Sequence, residues 1–257
     1  MTKHIIALCV GLFAGVSLAD IDIPIFYWSA TGSTIPSDMT YWFKFDDNAA
    51  NTSVYDEITT SNATASGSTS TMTAAGKVGS CFYFQGARYV DCPVNYAKWE
   101  RTQAFSIVVW SKKGQGYHTF FSNNTSLNHA TKGISWFTYT FGLYLQLNSG
   151  SSYGNNELQV YAIPSPFDGS AWIMFAVTYD GSSSASGVKM YANGISQTIT
   201  VAQNTLSGTV TNVNKLCLGN LTAHSAEAPL TGYLDQVRIF TRVLSSNEVF
   251  SLYNAEK

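Results

Sequence analysis

Between Thr40 and Phe240 the chain is cut into short runs of aromatic and β-branched residues, each closed by glycine, asparagine or aspartate. Examples are "YWFKF", "AFSIVVW", "SWFTYTFGLYLQL", "WIMFAVTYD", "GVKMYANG" turning at Asn193-Gly194 into "ISQTITV", and "GYLDQVRIF". These runs are too short and too strictly alternating for helices, and they read as strands that bury one face. About ten or more such strands, with no repeating period, describe an all-β antiparallel sandwich instead of a propeller, a solenoid or a parallel barrel. The polar stretch from Asn51 to Ala75 reads as a long loop with one weak strand. A single helix is signalled, where Ser245 and Glu248 form a capping box ahead of Val249, Phe250 and Leu252.

A chain of 257 residues, 45% of them hydrophobic, can fill one large β core. Only 12% are charged and the net charge is −2, which gives no electrostatic reason for a nucleic-acid or membrane-surface partner. The first residues are distinct. Lys3, an apolar run from Ile5 to Leu18 and the small residues Ser17 and Ala19 read as a signal peptide over residues 1–19, with cleavage after Ala19. The run is too short for a comfortable membrane span, so no transmembrane anchor is expected. Residues 20–39 read as an extension, and Pro24 bars a central strand there. Ile21, Ile23, Ile25, Phe26, Tyr27 and Trp28 make it strongly apolar. It either covers the domain's own surface or serves as an assembly arm that docks on a protein partner or on a second copy of the chain.

"CFYFQGARYVDC" reads as a hairpin about Gly86-Ala87, which sets Cys81 opposite Cys92. Opposed strand residues are close enough for a disulfide; the alternative is two small buried thiols, and Cys217 is left unpaired in either case.

Several segments together carry a family likeness: "FDDNAANTSVYD", "GKVGSCFYFQGARYVDC", "FSIVVWSK", "WIMFAVTYDGSSSASGVKMYANG" and "LTGYLDQVRIFTRVLSSNEVFSLYN". In this order they resemble the LamG-like jelly-roll domains of the concanavalin A-like lectin and glucanase superfamily, over residues 40–257. The resemblance implies two large antiparallel sheets packed face to face, with "GYLDQVRIF" beside "YWFKF". It also implies a structural calcium ion at an aspartate of the last long strand. Asp235 matches that position, and Asp46, Asp47 and Asn48 at the end of the first strand supply further oxygen ligands. The alternative for Asp235 is a salt bridge or turn contact, with Arg238 or Arg242 holding it at the surface.

The glucanase branch needs two carboxylates across one sugar bond, yet no E-x-D-x-x-E pattern occurs and the glutamates are isolated. The one G-x-S-x-G string, "GSSYG" at residues 150–154, lies between two strand runs and not at a strand-to-helix turn, so no nucleophile elbow is expected, and the four histidines show no metal-ligand spacing. The chain therefore reads as a non-enzyme. Sugar recognition calls for flat aromatic faces and short polar side chains. Tyr117, Trp136, Tyr139, Tyr144 and Tyr153, with Asn148, Asn155 and Asn156, provide both, although in an alternating strand half of such aromatics fill the core. The expected function is non-catalytic carbohydrate binding or adhesion at an extracellular surface, with a glycan as partner. The alternative is a structural display subunit of a virion, fibre or surface layer whose arm docks on neighbours.

Overall fold

The computed structural model describes residues 35–257 except 97, 114–115, 141, 151, 164–168 and 170. The expected signal peptide, and Ile21 to Trp28 of the expected arm, lie outside the described residues. The chain runs through β1 (Tyr41–Phe43), β2 (Ser53–Val54), β3 (Ala63–Ala65), α1 (Thr69–Met72), β4 (Thr73–Ala75), β5 (Ser80–Phe84), β6 (Val90–Asp91), β7 (Phe105–Lys113), β8 (His118–Ser122) and β9 (Lys132–Tyr139). It continues with β10 (Gly142–Ser149), β11 (Glu157–Ala162), β12 (Ile173–Tyr179), β13 (Val188–Ala192), β14 (Ile195–Ser196), β15 (Ile199–Asn204), β16 (Cys217–Leu218), β17 (Gly232–Phe240) and α2 (Ser246–Glu256).

Among the described residues the strands form two antiparallel sheets, as the sequence predicts. Sheet A has the order β14-β13-β12-β7-β17-β5-β4, with β1 also on β17; sheet B has the order β15-β11-β10-β9-β8-β16-β6-β3-β2. Their inner faces share one core, in which Phe82, Phe84 and Phe105 of sheet A meet Phe121, Trp136 and Leu145 of sheet B. Each such side chain removed from water stabilises the fold by roughly 1.5–3 kcal/mol.

The strand β17 pairs with β1 as expected, with Trp42 opposite Arg238. A bulge between Asp235 and Arg238 puts Gln236 at φ 52°. Core-facing residues on either side are therefore Leu234 and Val237, three apart, and both Asp235 and Arg238 project to the outer face of sheet A. There α2, started by the predicted capping box at Ser245 and Glu248, covers Val108, Trp110, Met174 and Phe240 with Val249 and Leu252.

The hairpin about Gly86-Ala87 is not formed. β5 pairs with β4 and β17 in sheet A, whereas β6 pairs with β3 and β16 in sheet B, so the turn at Gly86 (φ 65°) carries the chain between sheets. The Cys81–Cys92 disulfide expectation fails with it. Cys92 belongs to the shared core and Cys81, alternating with core residue Phe82, does not. Cys81, Cys92 and Cys217 are all free, buried thiols.

Candidate functional site

On β10 the leucines 143, 145 and 147 face the core, so Tyr144, Gln146 and Asn148 face outward from sheet B. The register then builds rows across three strands. Tyr144 lies opposite Phe137 of β9 and Tyr161 of β11; Gln146 lies between Ser135 and Gln159; Asn148 lies between Gly133 and Glu157. The first row is a ladder of rings. Phe137 stacks on Tyr144 with centroids 5.4 Å apart, and Tyr144 stacks on Tyr161 at 4.9 Å. Tyr117 and Tyr139 meet edge to face at 5.2 Å beside it. Gly142 makes room for this ladder, since a Cβ there would stand 2.6 Å from the Tyr144 ring.

The rings line a cleft of about 330 Å³ whose other walls include Leu127, His129, Tyr153 and Gln159. Tyr139 and Tyr153 are more than half exposed, at 53% and 62%. Burial raises the phenol pKa of Tyr117 and of Tyr144, so both hydroxyls stay protonated and can donate as well as accept hydrogen bonds at neutral pH.

Beneath His129, which lines the cleft, lies a buried polar cluster. Glu157 is fully buried, and its Oε1 sits 2.7 Å from His129 Nδ1 and accepts from Gln146 Nε2 at 2.9 Å. A proton on Nδ1 donated to Glu157 leaves Nε2 of His129 as an acceptor. Asn148 Nδ2 donates to the His129 carbonyl and fixes the loop that carries the ring. Two acceptors, Gln146 Oε1 and Glu157 Oε2, are buried without a protein partner. Unpaired buried acceptors are costly unless a water or a ligand group reaches them.

Of the residues singled out from sequence, Tyr117, Tyr139, Tyr144 and Tyr153 come together at this cleft. Trp136 does not, because its register opposite Leu145 turns it into the core against Phe120 at 5.3 Å. Asn155 is on the surface, with its amide on Ser152 Oγ at 3.0 Å. Tyr161, Gln159, His129 and Glu157 were not anticipated. The alternation of "ELQVYAI" could have put Glu157, Gln159 and Tyr161 on one face, but His129 arrives on a loop with no local signal.

Residues 84–250, more than half of the chain, match the family described as the concanavalin A-like lectin/glucanases superfamily. The chain belongs to this superfamily. No curated protein sequence matched it. Among solved structures, domain 4 of AbnA, an extracellular GH43 arabinanase from Geobacillus stearothermophilus in complex with arabinotriose, is 22% identical with a TM-score of 0.58; the alignment covers 84% of this chain and 98% of that one. The ligand-binding domain of botulinum neurotoxin serotype D in complex with N-acetylneuraminic acid is 13% identical with a TM-score of 0.56, over 85% of this chain and 51% of that one. A Trypanosoma rangeli sialidase is 11% identical at 0.56, over 85% of this chain and 33% of that one. The chain thus spans about half of the toxin domain and a third of the sialidase. At these identities the likeness is one of fold.

The acids that the superfamily resemblance drew attention to divide in two. Asp235 is fully buried on the outer side of sheet A, and its Oδ2 accepts from the backbone N–H groups of Lys77 (2.7 Å) and Val78 (2.9 Å). Asp46 Oδ1 accepts from Ser80 N–H at 2.7 Å, so both carboxylates hold the Gly76–Ser80 turn. A Cβ on Gly76 or Gly79 would stand 2.7 Å from one or other carboxylate oxygen. Asp235 Oδ1 is buried without a protein partner, and burial raises the carboxyl pKa to about 7. Asp47 instead accepts from Tyr55 N–H at 3.1 Å, and with Asp46 and Asn48 it lines a cleft of about 310 Å³. Asp235 does not pair with an arginine. Arg238 binds Glu256, and Arg242 binds Asp38 and Glu248.

Proposed function

We propose that this superfamily member is a non-catalytic carbohydrate-binding module whose ligand lies on the outer face of sheet B, stacked on Tyr144 and Tyr161 with its hydroxyls turned to the His129 end. The observation that carries this reading is the ladder of stacked rings, Phe137, Tyr144 and Tyr161, lining an open cleft with His129 and Gln159 in its walls. Aromatic faces supply dispersion contact with the C–H face of a sugar, and the short polar groups fix its orientation. The cleft lining contains no arginine or lysine, which favours a neutral oligosaccharide over a sialylated one. The arabinotriose complex of the arabinanase domain supports a neutral sugar as ligand, and the N-acetylneuraminic acid complex of the neurotoxin domain supports only a sugar in general.

Hydrolysis is a poor fit. Asp91 and Glu157 both face outward, but β6 and β11 are five strands apart, about 24 Å at sheet spacing. A glycosidase needs its two carboxyls within about 5–9.5 Å. Both carboxylate oxygens of Glu227, above the same face, are taken by Ser126 and Leu127.

A glycan array should return a neutral oligosaccharide. Truncation of a central stacked ring costs about 2 kcal/mol or more, so Tyr144→Ala should weaken that ligand about 30-fold or more while leaving the melting temperature near wild type. Unchanged affinity in Tyr144→Ala and Tyr161→Ala would refute the placement. The reading also puts the protein outside the cell after removal of residues 1–19, and N-terminal sequencing of exported protein should begin at Asp20; an intact Met1 would contradict export by cleavage.

We further propose that Asp235 and Asp46 hold a structural calcium ion. The unpaired Asp235 Oδ1 and the glycine-lined turn between the two acids support it.

A further inference from the structure

We infer that Asp91, Cys217 and His224 form a binding site for a zinc-class divalent metal ion. The antiparallel register of β6 and β16 sets Asp91 directly opposite Cys217, so their side chains rise together from the outer face of sheet B. His224 comes from the loop that follows β16. Its N–H closes a turn onto the Leu221 carbonyl at 2.8 Å, its backbone sits at φ 51°, and its ring stacks on Tyr89 with centroids 3.5 Å apart. These contacts aim Nε2 at Asp91 Oδ1, 2.9 Å away. One ligand atom from each of the three residues lies within 4.8 Å of the others, and this is the one such trio among the described residues.

The donor set selects the metal. A thiolate, an imidazole and a carboxylate suit zinc or cobalt(II), and the sulfur disfavours calcium and magnesium. Bonds of about 2.0–2.3 Å in a tetrahedron place ligand atoms roughly 3.3–3.8 Å apart, so atoms within 4.8 Å of one another close in by about 1–1.5 Å at most, while the His224–Asp91 pair, at 2.9 Å, opens by about 0.4 Å. Cys217 is fully buried; its thiol makes a weak 3.8 Å contact to the Leu218 carbonyl and hydrogen-bonds the Asp91 side chain and the Asn220 backbone. His224 and Asp91 keep 30% and 17% of their side chains exposed, which gives the ion an entry and leaves a fourth position toward solvent. Without a metal, burial and the Asp91 carboxylate hold the Cys217 thiol well above its ordinary range. A bound cation reverses both effects and displaces the thiol proton to solvent. An Asp–His ion pair alone would explain neither the thiol on this outward face nor its convergence with both partners.

The test uses the full chain, reduced and stripped of metal, titrated with zinc against a chromogenic chelator and separately with cobalt(II). The wild type should bind one equivalent, and cobalt should give a thiolate-to-metal charge-transfer band. Cys217→Ser should lose that band. His224→Asn, chosen because asparagine tolerates the left-handed backbone, should weaken zinc by at least about 100-fold, more than the loss of a group that only hydrogen-bonds a metal ligand. Circular dichroism confirms that each variant is folded, and Asp91→Asn replaces either one that is not. No zinc bound by the wild type, or a cobalt thiolate band retained in Cys217→Ser, overturns the assignment. The outcome does not depend on whether a sugar binds.

Discussion

Glu256→Ala is expected to destabilise the protein by about 3–5 kcal/mol, although the residue lies in the last turn of a surface helix. An acid there opposes the helix dipole, so its local effect is unfavourable. Its partner explains it. Arg238 is fully buried beneath α2, with both terminal nitrogens on the Glu256 carboxylate and Nη2 also on Gln236 Oε1 at 2.8 Å. The Trp42 ring lies 4.9 Å from its guanidinium, and Trp110 Nε1 donates to Glu256 Oε2 at 2.7 Å. Removing Glu256 leaves a buried cation with no counter-charge and an indole N–H with no acceptor. At about 2–4 °C per kcal/mol for a domain of this size, the melting temperature should fall by roughly 10 °C. The double variant Arg238→Met, Glu256→Leu should recover most of that loss, because the pair's desolvation cost disappears with it. A Glu256→Ala variant within about 1 kcal/mol of wild type in urea unfolding would show that the buried pair does not anchor the helix.

The second large effect belongs to Asp235 and depends on pH. Burial is the chief cause of its raised carboxyl pKa of about 7, opposed by the Val78 and Lys77 N–H groups and reinforced by Asp46 and Glu256. In the folded state it therefore holds a proton that the unfolded chain releases near its ordinary value of 3.8. The native state binds more protons between these limits, so stability falls as pH rises through that window and is fully present only below it. At 1.36 kcal/mol per unit, the ionised side chain costs calcium-free protein about 2–4 kcal/mol above pH 7. In chelator at pH 8, Asp235→Asn should be more stable than wild type by that amount, and the difference should vanish at pH 4. Added calcium should raise the wild-type melt at pH 8 and leave the variant almost unmoved. Equal pH profiles for the two proteins, with no calcium response in either, would contradict both the burial cost and the ion.

Strand content and the closing helix were legible because each rests on local chemistry: alternation in "GLYLQL", the Asn193-Gly194 turn, the Ser245–Glu248 box. Pairing was not. A glycine turn such as Gly86 looks the same whether the chain folds back within one sheet or crosses to the other, and that ambiguity produced the false Cys81–Cys92 hairpin. Trp136 and Tyr144 sit in equally aromatic strands, and only the register, with Leu145 against Trp136, separates a core ring from a surface one. The rest of the site joins residues remote in sequence. His129 reaches Glu157 by a loop crossing, and Cys217 meets Asp91 because β16 lies next to β6 in the strand order.

The most direct test of the sugar-binding account is an NMR titration of protein labelled only at tyrosine rings, using the tightest neutral oligosaccharide from the array. Ring resonances of Tyr144, Tyr153 and Tyr161 should shift in a saturable manner. Tyr55, 64% exposed at the separate cleft formed by Lys44 to Glu57, should not move. Shifts at Tyr55 without shifts at Tyr144 and Tyr161, or no tyrosine shift with any glycan, would contradict the account.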